Sequence, residues 1–194
     1  ILNYEQPNKF IVNDTNYDVK SGIPVLTAGK SFILGFSKET ENIYKELPVI
    51  IFDDFTTDSK FVDFPFKVKS SAMKFLKEKS LNEINLKFIF EKIQTLKFTE
   101  TGSDHKRRWI SEFSKIEILY PEYEEQNIIA EIFSNVDKAI SKTEEIIAKY
   151  NLIKTGLMQE LLTKGINRDC TKFVQTDLKN LKVNSDFNIT NLKS

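Results

Sequence analysis

A chain of 194 residues can hold one ordinary domain with an extension, or two small domains. Its 40% hydrophobic residues, with 16 phenylalanines, can build a core and exclude a disordered chain. The 28 basic and 28 acidic side chains cancel, so the overall charge neither indicates nor excludes nucleic acid. The single cysteine, Cys170, excludes a disulfide within the chain. With no apolar run of membrane-spanning length, we expect a cytoplasmic protein and no membrane partner.

Residues 1–120 have the pattern of a β-rich domain. Short runs of β-branched and aromatic residues alternate with turn signals, which is typical of strands. The predicted strands are Phe10–Val12, Ile23–Thr27, Phe32–Phe36, Val49–Phe52, Phe61–Val68 and Ile116–Leu119. Between Leu81 and Leu96 the apolar residues fall near helical spacing, which predicts one helix inside this domain.

The pattern changes at Pro121, after which we predict one long helix over residues 121–164. Apolar residues repeat every seven positions there, as in a coiled coil, and a helix of that length is a rod of roughly 60 Å. Such a stripe requires a covering helix, because each buried large aliphatic side chain contributes roughly 1.5–3 kcal/mol. The predicted interface residues are Ile129, Ile132, Phe133, Val136, Ile140, Ile146, Tyr150, Ile153 and Leu157.

An alternative is a helix that breaks at Gly156 and folds back onto its own domain, since glycine weakens a helix. The polar segment after the helix, residues 165–194, is rich in Asn, Lys, Asp and Thr. We interpret it as a linker or a poorly ordered tail.

The residues form no recognisable catalytic pattern. Thr27–Ser31 is similar to the end of a phosphate-binding loop, but a proline occupies the position of its first glycine. A cluster of Asp53, Asp54 and Asp58 could hold magnesium, although aspartates in a turn more often cap it. The only histidine is His105, so no histidine pair exists for zinc. We therefore expect no catalysis, no metal and no cofactor on this chain.

Two segments are locally basic. Lysines and serines are interspersed between Lys67 and Lys79, and His105–Trp109 holds the densest cationic run. Lysine and arginine neutralise phosphates, and arginine also reads guanine edges. A charged run is more often a solvated face, so these segments alone do not establish DNA binding.

A set of motifs spread over about residues 4–165 resembles one half of the specificity (S) subunit of type I restriction-modification enzymes. The Glu-Glu-Gln start and the Leu-Met-Gln end of the predicted long helix are the most specific motifs. The matching segments are Tyr4–Pro7, Phe10–Val12, Ile23–Lys30, Phe32–Gly35, Val49–Thr57, Phe66–Met73, His105–Ile110, Tyr120–Gln126, Ile129–Ala130 and Gly156–Gly165.

The resemblance implies a target-recognition domain, residues 1–120, that reads one half of a split double-stranded DNA sequence, and a helix that acts as a ruler. Methyltransferase (M) subunits would bind S-adenosylmethionine and methylate adenine. Restriction (R) subunits would use ATP and Mg²⁺. Complete S subunits have two recognition domains and two helical regions, whereas this chain has one of each. The chain is then either a natural half-subunit or a piece of a full one. A half-subunit is expected to form a homodimer, or to pair with another S half, through the long helix.

The expected fold class is α+β: a β-rich recognition domain with one or two packed helices, followed by a long coiled-coil-forming helix. Two alternatives remain open: a non-catalytic coiled-coil scaffold, and a half-subunit that alters the specificity of a full-length S subunit. Candidate DNA contacts are Lys30, Thr56, Thr57, Lys60, Lys69, Ser70, Lys74, Lys106, Arg107 and Arg108.

Overall fold

The computed structural model describes residues 1–18, 20–29, 31–80, 82–96, 108–166, 171–175, 180–184 and 187. It divides into two compact units, Ile1–Ser134 and Asn135–Ser194. None of the helices among these residues is long and apolar enough to cross a membrane.

The first unit contains two sheets. The larger is antiparallel, in the order β1-β7-β4-β5, and its strands are β1 (Leu2–Glu5), β4 (Val49–Asp53), β5 (Ser59–Val62) and β7 (Met73–Glu78). The smaller has the order β3-β2-β6, with β2 parallel to β6, and consists of β2 (Ile23–Leu26), β3 (Ile33–Ser37) and β6 (Lys67–Val68).

Helices pack on one face of the larger sheet. They are α1 (Leu86–Gln94), the short α2 (Arg108–Ser111) and the first turns of α3 (Tyr123–Lys164). Asn85 caps α1, because its side chain accepts a hydrogen bond from the backbone N–H of Phe88 at 3.0 Å.

Strand β4 lies between two hydrophobic cores. Val49 and Ile51 belong to the core that also contains side chains of the smaller sheet, such as Leu26. Ile50 and Phe52 point to the opposite core, which contains residues of α1, α2 and α3. Because β4 is covered on both faces, its sequence is a continuous apolar run without alternation.

The structure confirms the predicted α+β class and most of the predicted elements. Predicted strands at 23–27, 32–36 and 49–52 correspond to β2, β3 and β4, and α1 lies inside the predicted helical range. Single strands at 61–68 and 10–12 were wrong predictions. The first is divided into β5 and β6 around Pro65, which has no backbone N–H to donate. In the second, Phe10 ends a 3-10 turn, Asn8–Phe10, and Ile11 forms only an isolated bridge with Val68.

Ile116–Leu119 was also predicted as a strand, but within the described residues it pairs with none. The strands β1 and β7 were not predicted.

The second unit begins inside α3. The helix runs uninterrupted through Gly156 to Lys164, so the alternative of a break there is wrong. Beyond it, β8 (Thr171–Gln175) and β9 (Asn180–Asn184) pair as an antiparallel hairpin. This hairpin, in the range predicted to be a linker or tail, was not predicted.

Candidate nucleic-acid interface

Hydrogen bonds join three turns at one end of the first unit. These turns follow β2 (residues 27–29 and 31–32), β4 (54–58) and β6 (69–72). The backbone N–H of Lys69 donates to the carbonyl oxygen of Leu26 at 3.1 Å, and the N–H of Ala28 lies 3.3 Å from the sulfur of Met73. The two sheets thus bring segments distant in sequence to a common edge.

Asp54 connects these turns to the beginning of α2. Its backbone N–H donates to the carbonyl of Ala72 at 3.2 Å, and its own carbonyl accepts from the N–H of Arg108 at 3.4 Å. Its carboxylate accepts a hydrogen bond from the N–H of Trp109 at 3.0 Å and lies 3.1 Å from the ammonium of Lys74. Asp54 is only 1% exposed, so one buried residue fixes two turns and a helix start.

The turn after β4 presents an aromatic ring to solvent. The carboxylate of Asp53 accepts hydrogen bonds from the N–H groups of Phe55, at 2.8 Å, and Thr56, at 3.1 Å. Thr57 has a φ of 64°, the left-handed conformation that non-glycine residues seldom adopt. Phe55, held in this turn, is 51% exposed. Sequence reasoning missed Phe55 as a candidate contact; an apolar residue inside an Asp- and Thr-rich turn is the signal that could have found it.

Nine of the ten predicted contacts fall into three groups. Thr56, Thr57, Lys69 and Ser70 lie in the two turns that Asp54 connects, and Lys69 is exposed. Lys60 (on β5, opposite Ile51) and Arg108 (the first residue of α2) are half-buried; Lys60 follows the turn after β4 in the chain, and the N–H of Arg108 donates to the carbonyl of Asp54. The predicted contacts Lys30, Lys106 and Arg107 lie outside the described residues.

Lys74 has a different environment from the other candidates. It is 2% exposed, and its ammonium donates to the carbonyl of Ser71 at 3.0 Å besides pairing with Asp54. Its charge is therefore compensated inside the protein.

Asp53 and Asp54, at the turn after β4, stabilise the fold and do not form an open carboxylate cluster. Asp53 binds turn amides and Asp54 binds Lys74 and Trp109. Within the described ranges no group of three acidic, histidine or cysteine side chains is arranged to hold a metal ion. Trp109 is 7% exposed and packs against Phe52, with ring centroids 5.4 Å apart, which makes it a core residue.

The start of α3 is attached to the first unit by polar groups. The buried Gln126 side chain donates to the carbonyls of Glu83 at 3.1 Å and Pro121 at 2.9 Å, and accepts from the N–H of Asn85 at 2.9 Å. Asn85 also donates to the side chain of Asn127 at 2.7 Å. The Glu-Glu-Gln segment thus joins α3 to the cap of α1.

Further along α3, the predicted stripe is exposed. Ile129 is half-buried against the core of the first unit. The other eight predicted interface residues are between 43% and 67% exposed, and they are Ile132, Phe133, Val136, Ile140, Ile146, Tyr150, Ile153 and Leu157.

Comparison with known proteins defines the class of this protein. Residues 1–152 match the model of the type I restriction modification DNA specificity domain, and the chain belongs to that family. Among its relatives is the specificity subunit of the type I restriction enzyme EcoR124I/EcoR124II of Escherichia coli, which is 46% identical over 160 residues. That alignment covers 79% of this chain and 40% of the E. coli subunit.

A more distant relative is the specificity subunit of the type I restriction enzyme MjaVIII of Methanocaldococcus jannaschii. It is 39% identical over 83 residues, which are 43% of this chain and 18% of that subunit. The chain therefore spans less than half the length of the relatives it matches.

Proposed function

We propose that this chain recognises one part of a double-stranded DNA sequence as a specificity component of a type I restriction-modification enzyme. The observation that carries the proposal is the family match over residues 1–152, together with 46% identity to the E. coli specificity subunit. In this proposal residues 1–120 read DNA, 121–164 form a spacer and dimerisation helix, and 165–194 form a connecting tail. The protein acts in the cytoplasm, where its DNA target lies.

The reading surface consists of the turns that Asp54 connects. Lys69 and Arg108 are suited to phosphate or guanine contacts, and Thr56, Thr57 and Ser70 supply hydroxyl groups. Lys60 flanks this surface, and the basic residues Lys30, Lys106 and Arg107 adjoin it in sequence. Phe55 joins the set, because an exposed aromatic side chain can contact a thymine methyl group.

The chain carries no catalytic groups of its own in this proposal. Methyltransferase subunits supply S-adenosylmethionine and adenine methylation, and restriction subunits supply the chemistry that depends on ATP and Mg²⁺. The role of the chain is to direct these partners to a site.

The helix completes the arrangement by pairing. A row of large apolar side chains, about half exposed, is unstable in water, and a second helix of the same kind is complementary to it. We propose that two copies pair, or one copy and another S half, so that two reading domains contact the two parts of a divided site. A two-fold dimer would read an inverted repeat.

Selection from duplexes with a randomised centre tests the proposal. The purified chain, alone and with a type I methyltransferase subunit, is mixed with the library, and bound duplexes are sequenced. We expect enrichment of a bipartite sequence that outcompetes random DNA. In cells that carry both chains, methylated adenines should map to the same sequence. Equal binding to enriched and random duplexes in both preparations would overturn the proposal.

A further inference from the structure

The ion pair between Asp54 and Lys74 is buried almost completely. Its side chains are 1% and 2% exposed, and the charged atoms lie 3.1 Å apart. Removing two charges from water costs free energy that their mutual attraction often only offsets, so a buried pair is a weak source of stability compared with apolar packing. Its position at the junction of the turns suggests another role.

Both members of the pair contact the segments that we propose to read DNA. Lys74 donates to the carbonyl of Ser71, in the turn after β6. Asp54 begins the turn after β4 and accepts the N–H of Trp109, next to Arg108. The turn after β4, the turn after β6 and the start of α2 are distant in sequence. One carboxylate and one ammonium group therefore hold these three segments together.

We infer that Asp54 and Lys74 are positioning residues for sequence reading. This inference rests on the proposed function. The pair fixes where Arg108 lies relative to the turns after β4 and β6, so that donors in all three segments match one DNA sequence. Attraction to phosphates in general needs only local cations, whereas discrimination between bases requires fixed geometry. Loss of the pair should therefore reduce specific binding much more than non-specific binding.

The same unit contains another ion pair with a buried lysine, which serves as a control. Lys67 is 1% exposed and lies 2.8 Å from Glu39. Glu39 also accepts hydrogen bonds from the N–H groups of Asn13, at 2.8 Å, and Asp14, at 3.0 Å. It follows Ser37, at the end of β3 opposite to the turn after β2. Its lysine is as buried as Lys74, whereas Glu39 is 22% exposed, and its carboxylate lies away from the proposed reading turns.

The experiment uses the full chain and the duplex enriched by selection, with a scrambled duplex as competitor. The variants are Asp54→Asn, Lys74→Met and the double variant, and the controls are Glu39→Gln, Lys67→Met and their double variant. Binding is measured well below the lowest Tm, at several NaCl concentrations. Thermal unfolding is followed in parallel, so that a loss of stability is separated from a loss of binding.

We expect Asp54→Asn and Lys74→Met to lose roughly 10- to 100-fold in affinity for the enriched duplex, the loss caused by one or two misplaced base contacts. Affinity for the scrambled duplex should change less than about threefold, because non-specific binding depends on the number of cations near phosphates. The control variants should unfold at lower temperature yet keep their preference for the enriched duplex.

The double variant Asp54→Asn, Lys74→Met decides between a role in stability and a role in specificity. Removing both charges leaves no unpaired buried charge, so its Tm should recover towards that of the wild type while its specificity stays low. The inference is overturned if specificity recovers together with Tm, or if the control pair loses specificity equally. If the wild-type chain itself prefers no duplex, the proposed function fails first, and the inference with it.

Discussion

Strand β4 and the stripe on α3 are both dense in large apolar residues, but their surroundings differ. Every residue of β4 is buried, because one sheet and a set of helices cover its two faces. On α3 the residues from Ile132 to Leu157 in the predicted stripe are about half exposed. The first unit therefore completes its own core, whereas the stripe on α3 is an exposed apolar surface that a second helix covers in our proposal. Similar hydrophobic patterns can encode folding in one segment and association in another.

The largest expected effect comes from breaking the core of the first unit. Phe52→Ala removes a ring that packs 4.6 Å from the ring of Phe113, and should lower the free energy of unfolding by about 3–5 kcal/mol. Urea unfolding, followed by circular dichroism, measures the change. Ile153→Ala on the stripe is the control. At protein concentrations where the chain is monomeric, it should cost less than about 1 kcal/mol, because a surface substitution removes few contacts.

The converse substitution tests the helix. Val136→Glu combined with Ile146→Glu places two charges in the stripe, and the dimer should dissociate because burying unpaired carboxylates is costly. Sedimentation equilibrium should give the mass of a single chain for this variant. Ser141→Glu, on the opposite side of the seven-residue repeat, should stay dimeric. A monomeric wild type would contradict self-pairing and favour a helix from another subunit.

A smaller effect is expected at the ion pair of partly exposed Glu39 and buried Lys67. The hydrogen bond from Lys67 and the N–H group of Asp14 lower the pKa of Glu39 from 4.5 to about 2. Because the folded-state pKa is lowered, the stabilisation is complete well above pH 4.5 and is lost as the pH falls towards 2. Glu39→Gln should cost about 1–2 kcal/mol at pH 7, less than the full pKa shift implies because solvent screens a partly exposed carboxylate, and almost nothing near pH 2. Urea unfolding across this range measures the difference, and an equal cost at both ends would contradict it.

The smallest effect is expected at exposed Lys69, in the turn after β6. Lys69→Ala should weaken DNA binding a few-fold and reduce the slope of log affinity against log salt by about one, since one phosphate contact is lost. Lys79→Ala is the control, because this exposed lysine lies beyond the opposite end of β7. Identical slopes for the two variants would remove Lys69 from the contact surface.

The sequence predicted those elements whose own hydrophobic pattern shows which of their faces are covered. The continuous run Val49–Phe52 identified β4, and the seven-residue repeat identified α3 nearly to its ends. Strand β7 was missed because Lys74, Lys77 and Glu78 interrupt its apolar pattern. The charge of Lys74 is compensated in the core by Asp54, twenty positions earlier in the chain, and no local pattern reveals that pairing.

The candidate surface was predictable only in part. Basic and hydroxyl residues in turns indicated suitable chemistry, and several of these turns lie together in the structure. Their convergence depends on the register of both sheets, for example on Asp53 lying opposite Met73. The sequence alone therefore suggested individual contact residues. It revealed neither that Asp54 connects the turns nor that Phe55 is exposed among them.

The turn after β4 is fixed to the fold by its first residues, and this affects how such a protein can evolve. The anchors of the turn after β4 are Asp53 and Asp54, while Phe55, Thr56 and Asp58 are exposed and lie outside both hydrophobic cores. Substitutions at these exposed positions should leave stability nearly unchanged. With these turns reading DNA as we propose, a lineage can acquire new DNA preferences there without first rebuilding its scaffold.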